Sequence, residues 1–337
     1  MSGTKNLIVS SSPHIRTPRD TRAIMLDVLI ALAPALIAAV IFFGLRALLV
    51  TAISVASCVL FEYLYRLVMK KPCTIGDLSA VITGVLLAFC MPATAPWWLP
   101  IIGALFAIVL VKQLFGGLGK NFLNPALAGR AFLLTSYAVL MTSWTPASFQ
   151  KVDAATFATP LASLHSGVLA SDSIGAMFFG NIGGCLGEVS ALALLLGGGW
   201  LVYRKVISLR IPLSFIGTVA VLTLIFSRGN DHVAWMLQNL LSGGLLLGAI
   251  FMATDYCTSP VTPVGQLIYG VGCGLLTVLI RYFGGYPEGV SYAILIMNIP
   301  VWMIDKCTAP RRFGGESKCV AARLLRKLQT KKGAADK

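Results

Sequence analysis

Ten long apolar stretches constrain the fold of this chain more than any other feature. They begin near Ile24, Ala47, Ile75, Trp97, Ala126, Glu188, Pro212, Trp235, Val264 and Val290, with short polar or Pro/Gly-rich segments between them. A helix needs about 20 mostly apolar residues to cross a bilayer. The chain is 57% hydrophobic and only 12% charged, whereas soluble domains are roughly 45–50% apolar and ~25% charged. The pattern predicts an all-α polytopic membrane protein with about ten transmembrane helices.

The basic residues predict how these helices are oriented. If the N-terminus is cytoplasmic, only Arg46, Lys151, Arg228 and Arg281 of the 27 lysines and arginines fall outside, and Arg130 is counted inside. This is a strong positive-inside bias, and it predicts that both termini are cytoplasmic. The net charge of +14 is therefore explained by the basic residues on the cytoplasmic side of the membrane, and we expect no nucleic-acid partner.

The chain divides into three parts on this topology. We expect a cytoplasmic N-terminal tail at 1–22, a membrane domain at 23–304 and a basic cytoplasmic tail at 305–337. No cleavable signal peptide is visible, so the first helix should be retained. The basic tail either touches anionic lipid or a partner, or is simply solvated. A long extracytoplasmic loop at 141–187 joins helices 5 and 6, and loops of this length usually carry function or disorder.

A faint internal repeat is also present. Gly84-Val-Leu-Leu-Ala-Phe-Cys-Met-Pro-Ala-Thr resembles Gly244-Leu-Leu-Leu-Gly-Ala-Ile-Phe-Met-Ala-Thr. The first copy falls in predicted helix 3 and the second in helix 8, which run in opposite directions. Two inverted five-helix repeats follow from this alignment, as in many transport folds. Chance similarity between Leu/Gly/Ala-rich helices is the alternative.

The extracytoplasmic loop contains a candidate modification motif, Asp153-Ala-Ala-Thr156-Phe-Ala158-Thr159. It resembles the pattern Asp-x-x-(Ser/Thr)-Gly-Ala-Thr, in which a periplasmic flavin transferase esterifies the final threonine with the phosphate of FMN. Phe157 stands where the pattern has glycine. The alternative is an ordinary Ser/Thr-rich loop.

Four further motifs extend the resemblance to nearly the whole chain. They are Gly76-Asp77-Leu-Ser-Ala-Val-Ile-Thr-Gly84, Gly116-Gly117-Leu-Gly119-Lys120-Asn121-Phe-Leu-Asn124-Pro125-Ala126, Gly180-Asn-Ile-Gly183-Gly184-Cys-Leu-Gly187-Glu188-Val-Ser190 and Met252-Ala-Thr254-Asp255. With these motifs the chain resembles the family formed by the D subunit of the Rnf electron-transport complex and its relative, the B subunit of the Na+-translocating NADH:quinone oxidoreductase. The short N-terminal tail favours the Rnf protein.

The resemblance implies a membrane subunit that holds FMN covalently on Thr159 and passes electrons between partner subunits. In such a complex electrons move between ferredoxin and NAD, and the free energy drives Na+ or H+ across the membrane. A flavin transferase would mature the protein, and a second, noncovalent flavin such as riboflavin is also implied. Acting alone, the chain is not expected to catalyse a reaction. A flavin-free secondary transporter or channel is the competing class of function.

Residues that follow the loop motif extend the predicted cofactor site. Gly183, Gly184 and Gly187 allow a flat ligand to approach the backbone closely. Glu188 and Ser190 open the next apolar helix, where free N–H groups favour an anionic flavin edge or phosphate. For Glu188, a purely helix-stabilising role in the first turn is the equal alternative.

Two carboxylates are candidates for an ion path, because carboxylates in membrane segments are costly and tend to be functional. Asp77 begins helix 3 and Asp255 follows helix 8, near the cytoplasmic face. Glu62, Asp27 and Asp305 are weaker candidates at the same face. Local capping, or pairing with Lys70, Lys71 or Arg130, is the alternative of equal weight. The eight cysteines form no CxxC pair, so no metal site is predicted.

Overall fold

The computed structural model describes residues 20–144, 159–229, 231–285 and 288–310, and within these ranges the chain is helical without β-strands. In the first part of the chain the helices are α1 (Thr21–Phe43), α2 (Leu45–Val68), α3 (Ser79–Phe89), α4 (Trp98–Gln113), α5 (Pro125–Ser136) and α6 (Ala138–Met141). Two short helices, α7 (Pro160–His165) and α8 (Ile174–Phe179), follow. The remaining helices are α9 (Ala191–Tyr203), α10 (Arg210–Ile225), α11 (His232–Leu241), α12 (Leu245–Met252), α13 (Pro263–Phe283), α14 (Val290–Asn298) and α15 (Val301–Thr308).

The prediction of an all-helical membrane protein is confirmed. Each of the ten predicted stretches coincides with a helix or a helix pair. By length and composition, α1, α2 and α13 are long enough to cross a membrane. The pairs α11–α12 and α14–α15 also qualify if each pair counts as one span, although they bend by 61° and 56°. Helices α3, α4, α9 and α10 are apolar but shorter.

Three pairs of helix starts share one interval. The starts of α2 and α10, of α4 and α13, and of α5 and α14 are each 165 residues apart. The interval is 170 residues for α1 and α9 and 166 residues for α3 and α12. The predicted alignment of Gly84 with Gly244 implies 160 residues, so the repeat and its register stay a prediction.

Close helix contacts in the core depend on glycine. A Cβ on Gly197 of α9 would lie 2.1 Å from the carbonyl oxygen of Ala31 in α1, and one on Gly84 of α3 would lie 2.7 Å from Cα of Val55 in α2. Ser54 donates from Oγ to the carbonyl of Gly84 at 2.7 Å. Small residues let membrane helices pack backbone to backbone in this way, where lipid offers no hydrophobic driving force.

Candidate functional site

Thr159 caps the short helix α7. Its hydroxyl oxygen accepts a hydrogen bond from the backbone N–H of Ala162 at 3.3 Å, and Pro160 occupies the first helical position, where its missing N–H costs nothing. Thr159 is buried. The other residues of the loop motif, Asp153, Thr156 and Ala158, lie outside the described residues.

Helix α7 docks on the break between α11 and α12. Leu161 lies where a Cβ on Gly243 would be, with its Cδ2 only 2.3 Å from that position. At the other end of α7, Nδ1 of His165 is 2.7 Å from the backbone carbonyl of Arg281 in α13. These two contacts fix Thr159 against the helix break.

A narrow cleft forms where these segments meet. It is lined by Thr159, Pro160, Leu161, Ile182, Gly183, Gly184, Glu188, Val189, Ser242, Gly243 and Glu288. Four of the residues singled out from the sequence, Thr159, Gly183, Gly184 and Glu188, are thus brought together. The lining is polar at several points, and the hydroxyl of Ser242 is buried there without a hydrogen-bond partner.

Both ends of the α11–α12 break carry a compensating charge. The guanidinium of Arg281 donates to the carbonyls of Asn239, Ser242 and Gly243 at the end of α11. At the start of α12, Gly244 adopts φ +58°, and a Cβ there would lie 2.4 Å from Oε1 of Glu188. A cation at a helix C-terminus and an anion at an N-terminus both oppose the local dipole favourably. Irregular backbone at membrane depth is tolerated only when protein satisfies it in this way.

Glu188 is buried, and its carboxylate does not interact with the N-terminus of α9, the helix that follows it in the chain. The first turn of α9 contains no acidic residue, and Ser190 caps it by accepting a hydrogen bond from the N–H of Ala193. The carboxylate of Glu188 instead lies 3.4 Å from the guanidinium of Arg130. The structure therefore does not support the first-turn alternative for Glu188.

Arg130 joins two carboxylates of the cleft. It pairs with Glu188 and with Glu288, and it also lies 3.7 Å from Sγ of Cys185. These contacts bring together residues that the predicted topology places apart, with Arg130 at the cytoplasmic side and Glu188 and Glu288 at the opposite side. The reason is that α5 starts inside the bundle, where the side-chain amide of its cap Asn124 donates to the carbonyl of Met252. Cys185, Glu188 and Glu288 lie close enough together to be metal ligands, but the guanidinium of Arg130 occupies the space between them.

Glu288, Ser242 and Gly243 were missed in the sequence. None of them lies in a recognisable motif, and all are far along the chain from Thr159. The predicted topology offered one usable signal, since it places the turn before α14 on the same side as the 141–187 loop.

Two of the predicted cofactor residues do not line the cleft. The N–H of Gly187 donates to the carbonyl of Phe89 at 2.9 Å, and a Cβ on Gly187 would lie 2.4 Å from Cβ of Phe89. Gly187 thus packs the glycine-rich segment against the end of α3. Ser190 serves as the cap of α9.

A second and larger cavity lies at the other end of α9. The residues before α9 line the cleft, whereas Leu201, Val206 and Ile207 at its end line the cavity. At 1.5 Å per residue, the 13 residues of α9 separate the two sites by about 20 Å. The cavity walls are mostly apolar, and polar groups enter from Thr83, Lys112, Asn121, Asn124, Thr254 and Asp255. The side-chain oxygen of Asn121 is buried without a partner.

Lys112 anchors a buried polar network at one wall of this cavity. Its Nζ lies 2.8 Å from Oε2 of Glu62 and 2.6 Å from the hydroxyl of Ser79. Thr74 donates to the other oxygen of Glu62 at 2.8 Å, and Ser79 donates to Asp77 at 2.7 Å. Both charged side chains of the ion pair are almost fully buried. A buried pair needs such extra hydrogen bonds to offset the cost of desolvation.

The two predicted ion-path carboxylates differ in position. Asp77 accepts hydrogen bonds from the N–H and hydroxyl of Ser79, which is local capping, and it does not line the cavity. Asp255 lines the cavity and accepts from the N–H of Cys257 and the hydroxyl of Thr258. Burial raises the pKa of the Asp255 carboxyl, although these two hydrogen bonds and nearby Lys112 oppose the shift.

The three weaker candidates for an ion path each interact with a specific group elsewhere in the protein. Glu62 pairs with Lys112, and Asp27 lies 3.1 Å from Nε of Arg204. Asp305 accepts from the backbone N–H groups of Val261 and Thr262. Among the described residues, none of these carboxylates forms an ion pair with Lys70, Lys71 or Arg130.

Comparison with known proteins shows that the chain is similar to subunits of ion-translocating oxidoreductase complexes. The model of the NQR2, RnfD, RnfE family matches residues 8–314. The D subunit of the Na+-translocating ferredoxin:NAD+ oxidoreductase complex of Acetobacterium woodii is 52% identical over 312 residues, which cover 92% of this chain and 96% of the relative. The D subunit of the proton-translocating complex of Clostridium ljungdahlii is 44% identical over 323 residues, 92% and 97% of the two chains. The D subunit of an ion-translocating oxidoreductase complex of Escherichia coli is 38% identical over 344 residues, 91% and 98%.

Proposed function

The chain belongs to the NQR2, RnfD, RnfE family, and from this we propose that it is the D subunit of an Rnf-type ion-translocating ferredoxin:NAD+ oxidoreductase complex. It carries electrons within the membrane and contributes to the translocation of Na+ or H+. Its partners are the other subunits of the complex, and its location is the cytoplasmic membrane of a bacterium or archaeon. The relatives named above include both Na+- and proton-translocating complexes, so their similarity does not distinguish the coupling ion.

Covalent FMN on Thr159 is the first cofactor that we assign to this protein. The observation that carries the assignment is the cleft itself, where the predicted acceptor hydroxyl meets Gly183, Gly184 and Glu188 from a separate segment. The residues that line the cleft fit FMN, because the buried hydroxyl of Ser242 in its wall has no hydrogen-bond partner and can bond to the cofactor. When bound, the flavin supplies one-electron transfer. The residues of the chain hold it, exclude water and balance its charge.

Attachment requires that α7 opens at its start. Thr159 is buried and its oxygen accepts the hydrogen bond from Ala162, so a flavin transferase reaches the hydroxyl only when this first turn is undone. The turn belongs to a helix of six residues, and helices this short are marginal without tertiary contacts. The modification therefore precedes the final docking of α7 against Gly243.

A noncovalent flavin such as riboflavin fits the larger cavity. Its apolar walls suit an isoalloxazine ring, and the unpartnered oxygen of Asn121 is available to the hydrogen-bonding edge of such a ring. The cleft and the cavity lie at opposite ends of α9. With one flavin in the cleft and one in the cavity, the protein has an electron carrier near each side of the membrane.

The topology assigned to the protein is ten membrane crossings with both termini cytoplasmic. The positive-inside bias of the sequence supports this orientation, and the 165-residue interval between helix starts supports two five-helix repeats in inverted orientation. In this topology the cleft at Thr159 faces outward and the cavity of Lys112 and Asp255 faces the cytoplasm. Asp255, which lines the cavity, and Asp77, which accepts a hydrogen bond from the cavity residue Ser79, remain the candidates for an ion path.

Two alternatives make different predictions. The B subunit of a Na+-translocating NADH:quinone oxidoreductase would carry the same cofactor but copurify with other partners. A flavin-free transporter or channel would have no use for a flavin acceptor. The test is in-gel flavin fluorescence of the denatured protein, coexpressed with a flavin transferase. We expect a fluorescent band for the wild type and for Thr142→Val, whose hydroxyl lies outside the cleft, and none for Thr159→Val. A dark wild-type band beside a fluorescent control substrate would favour the transporter.

A further inference from the structure

A buried cation behind the cleft makes no direct ion pair among the described residues. Arg281 is 3% exposed, and its guanidinium donates only to the backbone carbonyls of Asn239, Ser242 and Gly243, at 2.6 to 3.0 Å. Its Nε is buried without a hydrogen bond. In the part of the chain that the structure describes, no carboxylate lies within 4.0 Å of it. Buried charges are normally paired, because removing an ion from water is costly.

The contrast with the other buried arginine of the site is informative. Arg130 pairs with both carboxylates that line the cleft, Glu188 and Glu288. Arg281 directly contacts neither of them: Glu188 acts on it only through its electric field, and its hydrogen-bond acceptors are neutral carbonyls. The site therefore holds one cation whose charge is balanced by direct contact and one whose charge is not.

Arg281 lies directly behind the wall of the cleft. Ser242 and Gly243 line the cleft on one side, and their carbonyls receive the guanidinium on the other. A Cβ on Gly243 would lie 3.3 Å from a terminal nitrogen of Arg281. The backbone carbonyl of Arg281 also holds His165, at the end of the helix that Thr159 begins. The guanidinium is thus separated from the cleft by the Ser242–Gly243 segment, on which α7 docks.

We propose that Arg281 is the counter-charge of the flavin site. It balances the negative charge that a phosphodiester on Thr159 retains and that reduction adds to the cofactor, and it makes the bound flavin easier to reduce. It acts as a positioning residue, through its field and through the Ser242–Gly243 segment. The inference rests on the proposed attachment of FMN to Thr159.

The test is the reduction potential of the covalent flavin in the purified full-length protein. Arg281→Gln keeps an amide donor but removes the charge, and we expect at least a tenfold less favourable one-electron reduction, about 59 mV more negative. Arg281→Lys retains the charge and should stay close to wild type. Arg228→Gln is the matched control, because Arg228 is an exposed cation whose guanidinium contacts the carbonyl of neighbouring Tyr282. It should leave the potential unchanged.

A purely structural role for Arg281 predicts a different result. If Arg281→Gln carries the flavin at the wild-type potential, the inference is overturned. If that variant does not fold, Glu288→Gln decides, since removing a negative charge from the same cleft should shift the potential in the positive direction. No shift, or a negative one, contradicts the counter-charge. A wild-type protein without covalent flavin would overturn the proposed function and this inference with it, and in-gel fluorescence detects that case separately.

Discussion

Lys112 and Glu62 form an ion pair of 2.8 Å in the interior of the bundle, with side chains only 3% and 1% exposed. The pair joins α4 to α2 and forms one wall of the larger cavity through Lys112. Ser79 and Thr74 complete its hydrogen bonds. A charged pair at this depth is stable only while both partners are present.

Removing one partner of this pair should be much worse than removing both. Lys112→Met leaves Glu62 as a buried, unpaired carboxylate, and we expect a loss of about 3–5 kcal/mol of stability. The double variant Lys112→Met/Glu62→Gln should recover most of that loss. Thermal unfolding of the purified proteins in detergent measures both effects. Equal losses in the single and double variants would show that the charge pairing is unimportant.

Asp255 should make stability depend on pH. Burial raises its pKa in the folded protein, so the folded state holds its proton at pH values where the unfolded chain has released it. Stability is therefore greatest below the unfolded pKa of about 3.9 and is lost as pH rises through the raised folded value.

Asp255→Asn should remove this dependence. We expect the variant to be more stable than wild type at neutral and alkaline pH, by about 1.4 kcal/mol for each unit by which the pKa is raised. Melting temperatures measured from acidic to alkaline pH provide the test. A variant that follows the wild-type profile in parallel would mean that another group causes the dependence.

The contact of α9 with α1 should tolerate no side chain at Gly197. Gly197→Ala places a Cβ 2.1 Å from the carbonyl oxygen of Ala31, so the helices must separate, and overpacking of this kind costs about 1–3 kcal/mol. Gly199→Ala is the matched control, because nothing lies within 4 Å of its Cβ position. It should be neutral or gain up to about 1 kcal/mol from helix propensity. Similar melting temperatures for the two variants would contradict the packing.

The ten long helical stretches were predictable because each is an apolar run, whereas the short helices α7 and α8 lie in the predicted loop and the α11–α12 break was not predicted. The partly predictable site shows the limit of sequence reasoning. Thr159 and Glu188 could be found, since each lies in a local motif. Glu288 and Ser242 could not, because only tertiary packing brings them to the cleft. Charge counting also missed the contact of Arg130 with Glu188 and Glu288, because it assumes that every helix starts at the surface, whereas α5 begins within the bundle.

The repeat illustrates a second limit. Similar small and apolar residues recur along all the helices, so the sequences of α3 and α12 match at more than one register. Helix starts such as Leu45 and Arg210 are set by capping and by loop lengths as well. The helix starts and the residue identities therefore suggest different registers, and the internal repeat stays a prediction.

The most direct test of the central claim is mass spectrometry of the peptide that contains Thr159, from protein matured with a flavin transferase. We predict FMN in phosphoester linkage on Thr159, with Thr156 unmodified. Thr159→Asn should lose the flavin while it keeps α7 capped, because asparagine is as good a cap as threonine; its melting temperature separates loss of cofactor from loss of structure. An unmodified Thr159 peptide, or flavin on another residue, would contradict the account.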